Sequence, residues 1–237
     1  MNELKQLDAF KKVLTDYHMS ADSQAMLRRT KLVLLVAISS SGRNTIIREL
    51  VKSGNFHYIV SDTTRSPRIN DGVMEQNGVE YWFRKEADML TELKRGDFIE
   101  AALIHNQQVS GISKRELERA NQEGKIAITD IEIAGTQTII EANPETLAIF
   151  VLTPSYVEWQ RRLKLRGHMS EREVRNRMGS AKRELQAALR RPYYHFVIND
   201  QLAAAVRGID KMAHGKIDPQ HEAEGRAVAT EILQQLS

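Results

Sequence analysis

The sequence contains no cysteine among its 237 residues. Disulfides, thiolate nucleophiles and cysteine-based metal sites are therefore excluded. The chain also has little excess charge, because 34 basic side chains accompany 31 acidic ones and the formal net charge is +3. A balance so close to neutral does not require a broad nucleic-acid-binding face, and we expect no nucleic-acid partner.

No apolar run approaches the length of a membrane-spanning helix. The N-terminal segment is charged from Glu3 onward and lacks the apolar core of a signal peptide. We therefore expect a cytoplasmic protein with no membrane partner. A chain of this length is most simply one elaborated domain with a full α/β core.

Residues 31–45, KLVLLVAISSSGRNT, contain the clearest local pattern. An apolar run from Leu32 to Val36 is followed by a small polar turn and then, from Asn44, by a segment that favours a helix. Strand, loop and helix in this order leave backbone N–H groups unpaired at a helix N-terminus, where they can hold a phosphate. The P-loop pattern G-x-x-x-x-G-K-[ST] is only partly met, because Gly42 alone is kept. By itself, the stretch indicates nucleotide binding only weakly.

Beyond this stretch, apolar segments alternate with helical ones. Strands are expected at 57–65, 81–83, 98–106, 125–132, 146–154 and 195–200. Helices are expected at 44–52, 85–95, 113–122, 135–142 and 155–190, the last interrupted near Gly167. This alternation predicts an α/β fold with a parallel sheet covered by helices on both faces. The polar strand ends at 39–43, 61–65 and 130–132 would then meet in one crevice.

Helical extensions are expected before and after the segment in which strands and helices alternate. Residues 3–18 carry apolar side chains at helical spacing, and a shorter helix is expected from Asp22 to Arg29. We expect residues 1–30 to form an N-terminal extension packed on the domain's own surface and residues 31–207 to form the main domain. Residues 208–237 would form a C-terminal helical tail. One side of that tail is expected to carry Ala227, Ile232, Leu233 and Leu236.

Several blocks of the sequence resemble one family. SDTTRSPRINDG (61–72) and GVEYWF (78–83) resemble the GMP-binding loop of guanylate kinases, which has a Ser, a TTR-x-PR run, a Gly-rich turn and a G-x-x-Y-x-F unit in this order. Five further blocks resemble segments of that family: DFIEAA (97–102), TDIEIAG (129–135), LTPS (152–155), RRLKLRG (161–167) and INDQL (198–202). The likeness implies a P-loop NTPase-type fold with two additions. These are a small GMP-binding β subdomain at about 61–112 and a helical lid at about 159–180.

The resemblance implies phosphoryl transfer from Mg-ATP to GMP, giving ADP and GDP. The ATP-binding residues would be those of the loop and first helical turn: Ser39, Ser40, Ser41, Gly42, Arg43, Asn44 and Thr45. Mg²⁺ would be held by Asn44 or Thr45 together with Asp130, which ends a buried strand. The catalytic residues would be those that position and neutralise the transferring group: Arg43, Asp130 and the lid and post-lid arginines Arg162, Arg166 and Arg177.

The acceptor nucleotide would be held from the remaining blocks. Its implied ligands are Ser61, Arg65, Arg68, Tyr81, Glu100, Ser110 and Glu132. The two arginines and the tyrosine would donate charge-assisted hydrogen bonds to phosphate oxygens. Ser61 and Glu100 would read the guanine edge, where a carboxylate accepts from the ring N–H and the exocyclic amine.

The chain departs from the family pattern mainly in the phosphate loop. Ser40 replaces a second glycine and restricts the loop backbone. Arg43 replaces the P-loop lysine by a longer, planar cation, and Asn44 lacks the hydroxyl that usually ligates Mg²⁺. On the acceptor side, Ser110 replaces a second phosphate-binding Tyr, and Ile112 stands where a Ser or Thr would contact the base.

Three functions therefore stay open. The first is guanylate-kinase-like transfer to GMP, slowed by the altered loop. The second is a non-catalytic module that uses the acceptor cleft for a nucleotide or a phosphorylated peptide. The third is a kinase for another nucleotide or a phosphorylated sugar, which Ser110 and Ile112 permit. We favour a phosphotransferase, because the lid arginines are retained.

Overall fold

The computed structural model describes residues 4–70, 72–165 and 169–236. Its helices are α1 (Leu7–Thr15), α2 (Ala21–Arg29), α3 (Arg43–Lys52), α4 (Glu86–Arg95), α5 (Lys114–Gln122), α6 (Ile133–Ala142), α7 (Tyr156–Lys164), α8 (Glu171–Leu189), α9 (Leu202–Ala213) and α10 (Pro219–Gln235). Its strands are β1 (Leu32–Ala37), β2 (Phe56–Tyr58), β3 (Asp62–Thr63), β4 (Ile69–Asn70), β5 (Val73–Met74), β6 (Trp82–Phe83), β7 (Phe98–Ile104), β8 (Gln108–Ser113), β9 (Ile126–Asp130), β10 (Leu147–Leu152) and β11 (Tyr194–Ile198).

Five of the described strands form a parallel sheet in the order β11-β10-β1-β9-β2, flanked by helices. β1 pairs with β10 so that Val33 lies opposite Leu147, and β10 pairs with β11 in the same direction. The side chains of Leu34, Leu35 and Phe150 are fully buried, as unbroken apolar strands in a parallel sheet require. The predicted α/β fold class is confirmed.

A mixed sheet in the order β6-β3-β8-β7 and a β4-β5 ribbon complete the described strands. The prediction of one strand over 57–65 is wrong, because β2 and β3 belong to different sheets. Between them, the backbone N–H of Val60 donates to the Glu116 carboxylate at 2.9 Å and not to a neighbouring strand. This side-chain acceptor satisfies the buried backbone where the chain leaves one sheet for the other.

The chain divides into two compact units. The first comprises Met1–Lys31, His57–Ala127 and Gln137–Glu145. The second comprises Leu32–Phe56, Ile128–Thr136 and Thr146–Ser237. The predicted phosphate loop and lid thus fall in the second unit, and most of the predicted acceptor residues fall in the first.

The N-terminal extension is part of the first unit. Its helix α1 is shorter than the predicted 3–18; just before it begins, the Glu86 carboxylate accepts hydrogen bonds from the backbone N–H groups of Lys5 and Gln6. One hydrophobic cluster joins the extension to α4, β7 and β8; its buried members are Leu4, Phe10, Met89, Leu90, Leu93, Phe98 and Val109. The extension therefore contributes to the core of this unit.

Four of the described elements, β4, β5, β8 and α9, are not predicted by the sequence pattern. In the tail, the expected apolar side of α10 is partly wrong, because Ala227 is exposed and the buried residues are Gly225, Ala229 and Ile232. None of the described helices combines the length and the apolar composition needed to cross a membrane.

Candidate functional site

The phosphate loop connects β1 to α3 in the second unit. The backbone of Gly42 is left-handed, with φ of 88°, and the carbonyl of Gly42 accepts from the N–H groups of Thr45 and Ile46 at 3.1 Å. Ser40 is also left-handed, with φ of 70°, although it carries a side chain. The position at which the family has a second glycine thus needs a glycine-like backbone here, and Ser40 adopts it at a cost of roughly 1 kcal/mol.

Two distant side chains hold this loop. The indole N–H of Trp159 donates to the carbonyl of Ser39 at 2.8 Å. The side-chain amide of Asn199 donates to the carbonyl of Ser41 at 2.8 Å. Trp159 is fully buried and Asn199 is buried; the hydrogen bond from Asn199 is buried, and the one from Trp159 is partly buried. Two side chains that are distant in the sequence therefore hold the backbone of the loop.

Two hydroxyl groups of the loop are buried without a partner. Among the residues that the structure describes, Ser40 Oγ and Ser41 Oγ belong to the few buried side-chain atoms that make no hydrogen bond. Burial of an unpaired hydroxyl costs about 1–3 kcal/mol. Both lie just before the N-terminus of α3, where backbone N–H groups and the helix dipole favour an anion. A bound phosphate would satisfy these groups.

The first residue of α3 faces the last residue of β9. Arg43 Nη2 donates to Asp130 Oδ2 at 2.8 Å, and each side chain is about a quarter exposed. The structure thus brings together two residues to which the sequence assigned catalytic roles. A guanidinium and a carboxylate beside an anion site supply one charge to neutralise phosphate and one oxygen donor for a metal ion.

A cavity of about 210 Å³ opens beside the loop. It is lined by residues of the loop and of α8: Ser39, Asn176, Arg177, Ser180, Ala181 and Glu184. Burial and, less strongly, the carboxylate of Glu132 together raise the pKa of Glu184 to about 7, against the opposing effect of the Arg43 cation. The cavity therefore contains a guanidinium and a carboxyl group that titrates near neutral pH.

The three predicted lid arginines are placed differently. Arg177 lines the cavity with Ser39. Arg162 is on α7, where its Nε donates to Glu158 at 2.6 Å. Arg166 lies outside the described residues. Only Arg177 among the described pair is thus brought to the loop.

In the first unit, the structure brings together Arg65, Tyr81 and a residue not predicted from the sequence, Glu75. The Arg65 guanidinium donates to both carboxylate oxygens of Glu75, at 2.5 and 2.9 Å. This pairing with Glu75 raises the pKa of Arg65. The guanidinium also lies 4.7 Å from the centre of the Tyr81 ring. Glu75 therefore fixes the plane in which Arg65 presents its donors.

The other predicted acceptor residues lie on several elements, Glu132 in the second unit and the rest in the first. Arg68 is exposed, and its backbone N–H also donates to Glu75 at 2.9 Å. Ser110 on β8 donates to the Thr63 hydroxyl at 2.8 Å. Ser61 lies just before β3, and the exposed Glu132 lies just before α6. Glu100 is on β7, opposite Ile112 of β8. Ile112 itself is buried.

The oxygen donors near the loop fit Mg²⁺ as part of a larger coordination set. Within the described ranges, no three His, Asp or Glu side chains come close enough to hold a metal ion by themselves. Mg²⁺ commonly takes one or two carboxylates, several waters and phosphate oxygens of a substrate. The carboxylate of Asp130, the amide of the exposed Asn44 and the hydroxyl of Thr45, which accepts from Arg48 at 3.4 Å, are suitable donors.

Comparison with known proteins decides the family. The family model described as "Guanylate kinase" matches residues 29–215. The chain belongs to the guanylate kinase family. The family match begins just before β1, so helix α1 and most of α2 precede the segment shared with guanylate kinases.

Curated relatives agree with this assignment. The chain is 33% identical to "Guanylate kinase" of Nostoc sp. over 186 residues, covering 78% of this chain and 90% of that protein. It is 32% identical to "Guanylate kinase" of Porphyromonas gingivalis over 189 residues, covering 77% of this chain and 95% of that one. It is also 32% identical to "Guanylate kinase 1" of Oryza sativa subsp. japonica, of whose length it spans about half, 49%.

A solved structure supports the fold. The crystal structure of guanylate kinase from Anaplasma phagocytophilum matches with a TM-score of 0.56 and 21% identity. The match covers 86% of this chain and 93% of the other. At that identity, the likeness supports the fold alone.

Four residues that contact or line the candidate regions were missed from the sequence: Glu75 in the first unit and Trp159, Glu184 and Asn199 in the second. Glu184 could have been found, because Arg177, Ser180 and Glu184 recur at the spacing of one helix face. Trp159 and Asn199 act on loop carbonyls 120 and 158 residues away, and nothing local in the sequence indicates such contacts.

Proposed function

We propose that this guanylate kinase family member transfers the γ-phosphoryl group of Mg-ATP to the phosphate of GMP. Membership of the family supports a GMP kinase function in general terms. The observation that carries the proposal is the phosphate loop: the buried, unpartnered hydroxyls of Ser40 and Ser41 lie beside the Arg43–Asp130 pair at a helix N-terminus. Unsatisfied donors, a dipole and a cation together favour a polyanion.

The donor side would work by positioning and neutralising charge. The backbone and hydroxyls of residues 39–42 would hold the β- and γ-phosphates, with Asn44 and Thr45 in the first turn of α3. Arg43 would turn from Asp130 towards the transferring group and stabilise its negative charge. Asp130, released from the ion pair, would orient the metal ion. Mg²⁺ supplies charge neutralisation across the phosphate oxygens when it is bound with ATP.

The acceptor side would present the nucleophile. Arg65, Arg68 and Tyr81 would hold the GMP phosphate, with Glu75 orienting the first guanidinium. Ser61 and Glu100 would read the guanine edge, and Ser110 and Glu132 would complete the GMP-binding set. An oxygen of the GMP phosphate attacks the γ-phosphorus, a new P–O bond forms, and the bond from the γ-phosphorus to the β-bridging oxygen breaks, so that ADP leaves. Arg162, Arg166 and Arg177 would close on the transferring group from the lid.

The decisive experiment is a coupled assay of ADP release with Mg-ATP and a panel of nucleoside monophosphates. Calorimetric titrations of ATP and GMP, each alone, accompany it. We expect ADP formation that depends on GMP. Binding of GMP or of a phosphorylated peptide without binding of ATP would instead identify a non-catalytic module. Turnover with another nucleotide or a phosphorylated sugar, and none with GMP, would replace the acceptor.

Replacement of Arg43 tests the donor side. Arg43→Ala removes the cation expected at the transferring phosphoryl group, and we expect kcat to fall on the order of 10²-fold. Lys52→Ala is the matched control, because Lys52 is a well-exposed cation at the other end of α3 that pairs with Glu49 of the same helix. Equal turnover of Arg43→Ala and the wild-type protein would show that the role given to Arg43 is wrong.

A further inference from the structure

The N-terminal extension is bound to the turn between α4 and β7. The backbone N–H of Ser20 and the hydroxyl of Ser23 both donate to the carbonyl of Gly96, at 3.0 and 2.6 Å. A Cβ atom at Gly96 would lie 2.4 Å from the nitrogen of Ser20, so the two segments approach as closely as a glycine allows. The extension therefore reaches the start of the strand that carries Glu100.

Two residues further along, one hydroxyl group satisfies both backbone groups of a strand residue. The phenol of Tyr17 donates to the carbonyl of Phe98 at 2.7 Å and accepts from the N–H of Phe98 at 2.9 Å. Immediately afterwards, the pairing of β7 with β8 shifts: Phe98 lies opposite Ser113, but Glu100 lies opposite Ile112. This shift is a β-bulge, and the Tyr17 hydroxyl is bound at its edge.

A bulge changes the direction of the side chains that follow it. In regular alternation, Glu100 would share a face with Phe98, which is fully buried in the cluster that contains Phe10. Beyond the bulge, Glu100 is instead half-buried. The geometry of the bulge therefore determines the direction in which the side chain of Glu100 projects from the strand.

The environment of Tyr17 keeps its hydroxyl available as a donor. Burial raises the pKa of Tyr17, and the nearby carboxylates of Asp97 and Glu100 raise it further. The phenol thus stays protonated across the range in which the protein would work. The same observation places the charge of Glu100 within electrostatic reach of Tyr17.

We propose that Tyr17, which precedes the segment shared with guanylate kinases, is a positioning residue for guanine recognition: its hydroxyl holds the β7 bulge that orients the carboxylate of Glu100. The proposal rests on the proposed function, in which Glu100 accepts hydrogen bonds from the guanine edge. It assigns to the extension a part in acceptor specificity in addition to its part in the hydrophobic cluster.

The test compares three variants by KM and kcat for GMP and for inosine monophosphate, which lacks the exocyclic amine. Calorimetric affinities for both nucleotides provide a readout that does not depend on turnover. Tyr17→Phe removes only the hydroxyl, and we expect the KM for GMP to rise roughly tenfold with kcat within about twofold. The ratio of affinities for GMP and inosine monophosphate should fall, because a misdirected carboxylate loses the contact to the amine.

Ser23→Ala is the matched control. It removes a hydrogen bond from the same extension to Gly96 but does not touch the bulge, so the KM for GMP should stay unchanged. Glu100→Gln tests the guanine-binding role of Glu100 separately from the positioning role of Tyr17. If Glu100→Gln leaves GMP affinity unchanged, the guanine role given to Glu100 fails. If Glu100→Gln weakens GMP binding and Tyr17→Phe behaves like Ser23→Ala, the proposal for Tyr17 is overturned.

A measurement on the unaltered protein applies even if Tyr17→Phe does not fold. Saturation with GMP should slow hydrogen exchange of the Phe98 amide, because fixing Glu100 also fixes the bulge that this amide helps to form. Unchanged exchange at Phe98 under saturating GMP would contradict the proposal.

Discussion

The carboxyl group of Glu184 is half-buried on α8, within electrostatic reach of Glu132 and Arg43. Burial and the neighbouring carboxylate raise its pKa from 4.5 to about 7, so the folded protein keeps this proton at pH values where the unfolded chain has released it. Through this group, the free energy of unfolding therefore decreases as the pH rises from about 4.5 to 7. The decrease is complete above pH 7, where the carboxyl group is ionised in the folded and in the unfolded protein.

We expect Glu184→Gln to remove this dependence. Relative to the wild-type protein, the variant should gain free energy of unfolding progressively between pH 4.5 and 7, by about 1–2 kcal/mol after allowance for partial solvation. Urea unfolding at a series of pH values measures the difference. Glu224→Gln, an exposed change on α10, should run parallel to the wild-type curve. A constant difference for Glu184→Gln would mean that its carboxyl group titrates normally.

The phosphate loop is the element on which the donor side depends, and Gly42 tests how tightly Asn199 holds it. A Cβ atom at Gly42 would lie 2.3 Å from the Asn199 amide nitrogen, whose N–H donates to the loop carbonyl of Ser41. Gly54 has nearly the same φ, +84° against +88°, but nothing within 4 Å of a Cβ atom. Alanine at either position strains the backbone, and only Gly42→Ala also displaces Asn199.

We expect Gly42→Ala to lower the free energy of unfolding by at least about 1 kcal/mol more than Gly54→Ala, since it breaks a buried hydrogen bond in addition. Calorimetry should show weaker ATP binding for Gly42→Ala and unchanged binding for Gly54→Ala. Equal losses of stability in the two variants would show that the loop does not depend on Asn199.

The same element shows how far the sequence could predict the site. The strand, the turn and the helix of the phosphate loop can be predicted from the local sequence, because an apolar run followed by small polar residues and a helix-compatible segment determines them. The conformation of Ser40 cannot be predicted in this way. A serine with φ of 70° is uncommon, and the carbonyls on either side of it are held by Trp159 and Asn199, which lie far away in the sequence.

The strand β8 shows a different limit. Its sequence, QVSGIS, contains two serines and a glycine and has no clear alternation of apolar and polar residues. It forms a strand because β3 and β7 pair with it on both sides, and strand preference depends strongly on such neighbours. Ser110 therefore lies on a central strand, in contact with Thr63, which the sequence pattern did not predict.

At the scale of the whole molecule, the two compact units assign the expected ligands to different parts of the chain. The proposed phosphate loop lies in Leu32–Phe56, and the proposed acceptor residues from Ser61 to Ser110 lie in His57–Ala127. A ligand that binds only the folded state stabilises it by about 2.7 kcal/mol at a concentration of 100 Kd. For a chain of this size, that corresponds to a rise in Tm of roughly 5–10 °C.

We expect GMP alone and Mg-ATP alone each to raise the Tm, and we expect hydrogen exchange to separate their sites. GMP should slow exchange mainly within His57–Ala127, where Arg65 and Tyr81 lie, and Mg-ATP mainly within Leu32–Phe56. Adenosine with Mg²⁺ is the control for the donor site, because it lacks the polyphosphate that the loop is proposed to bind. If GMP raises the Tm but Mg-ATP neither raises it nor slows hydrogen exchange in Leu32–Phe56, the protein has no working donor site. The unpartnered hydroxyls of Ser40 and Ser41 would then not indicate a phosphate ligand.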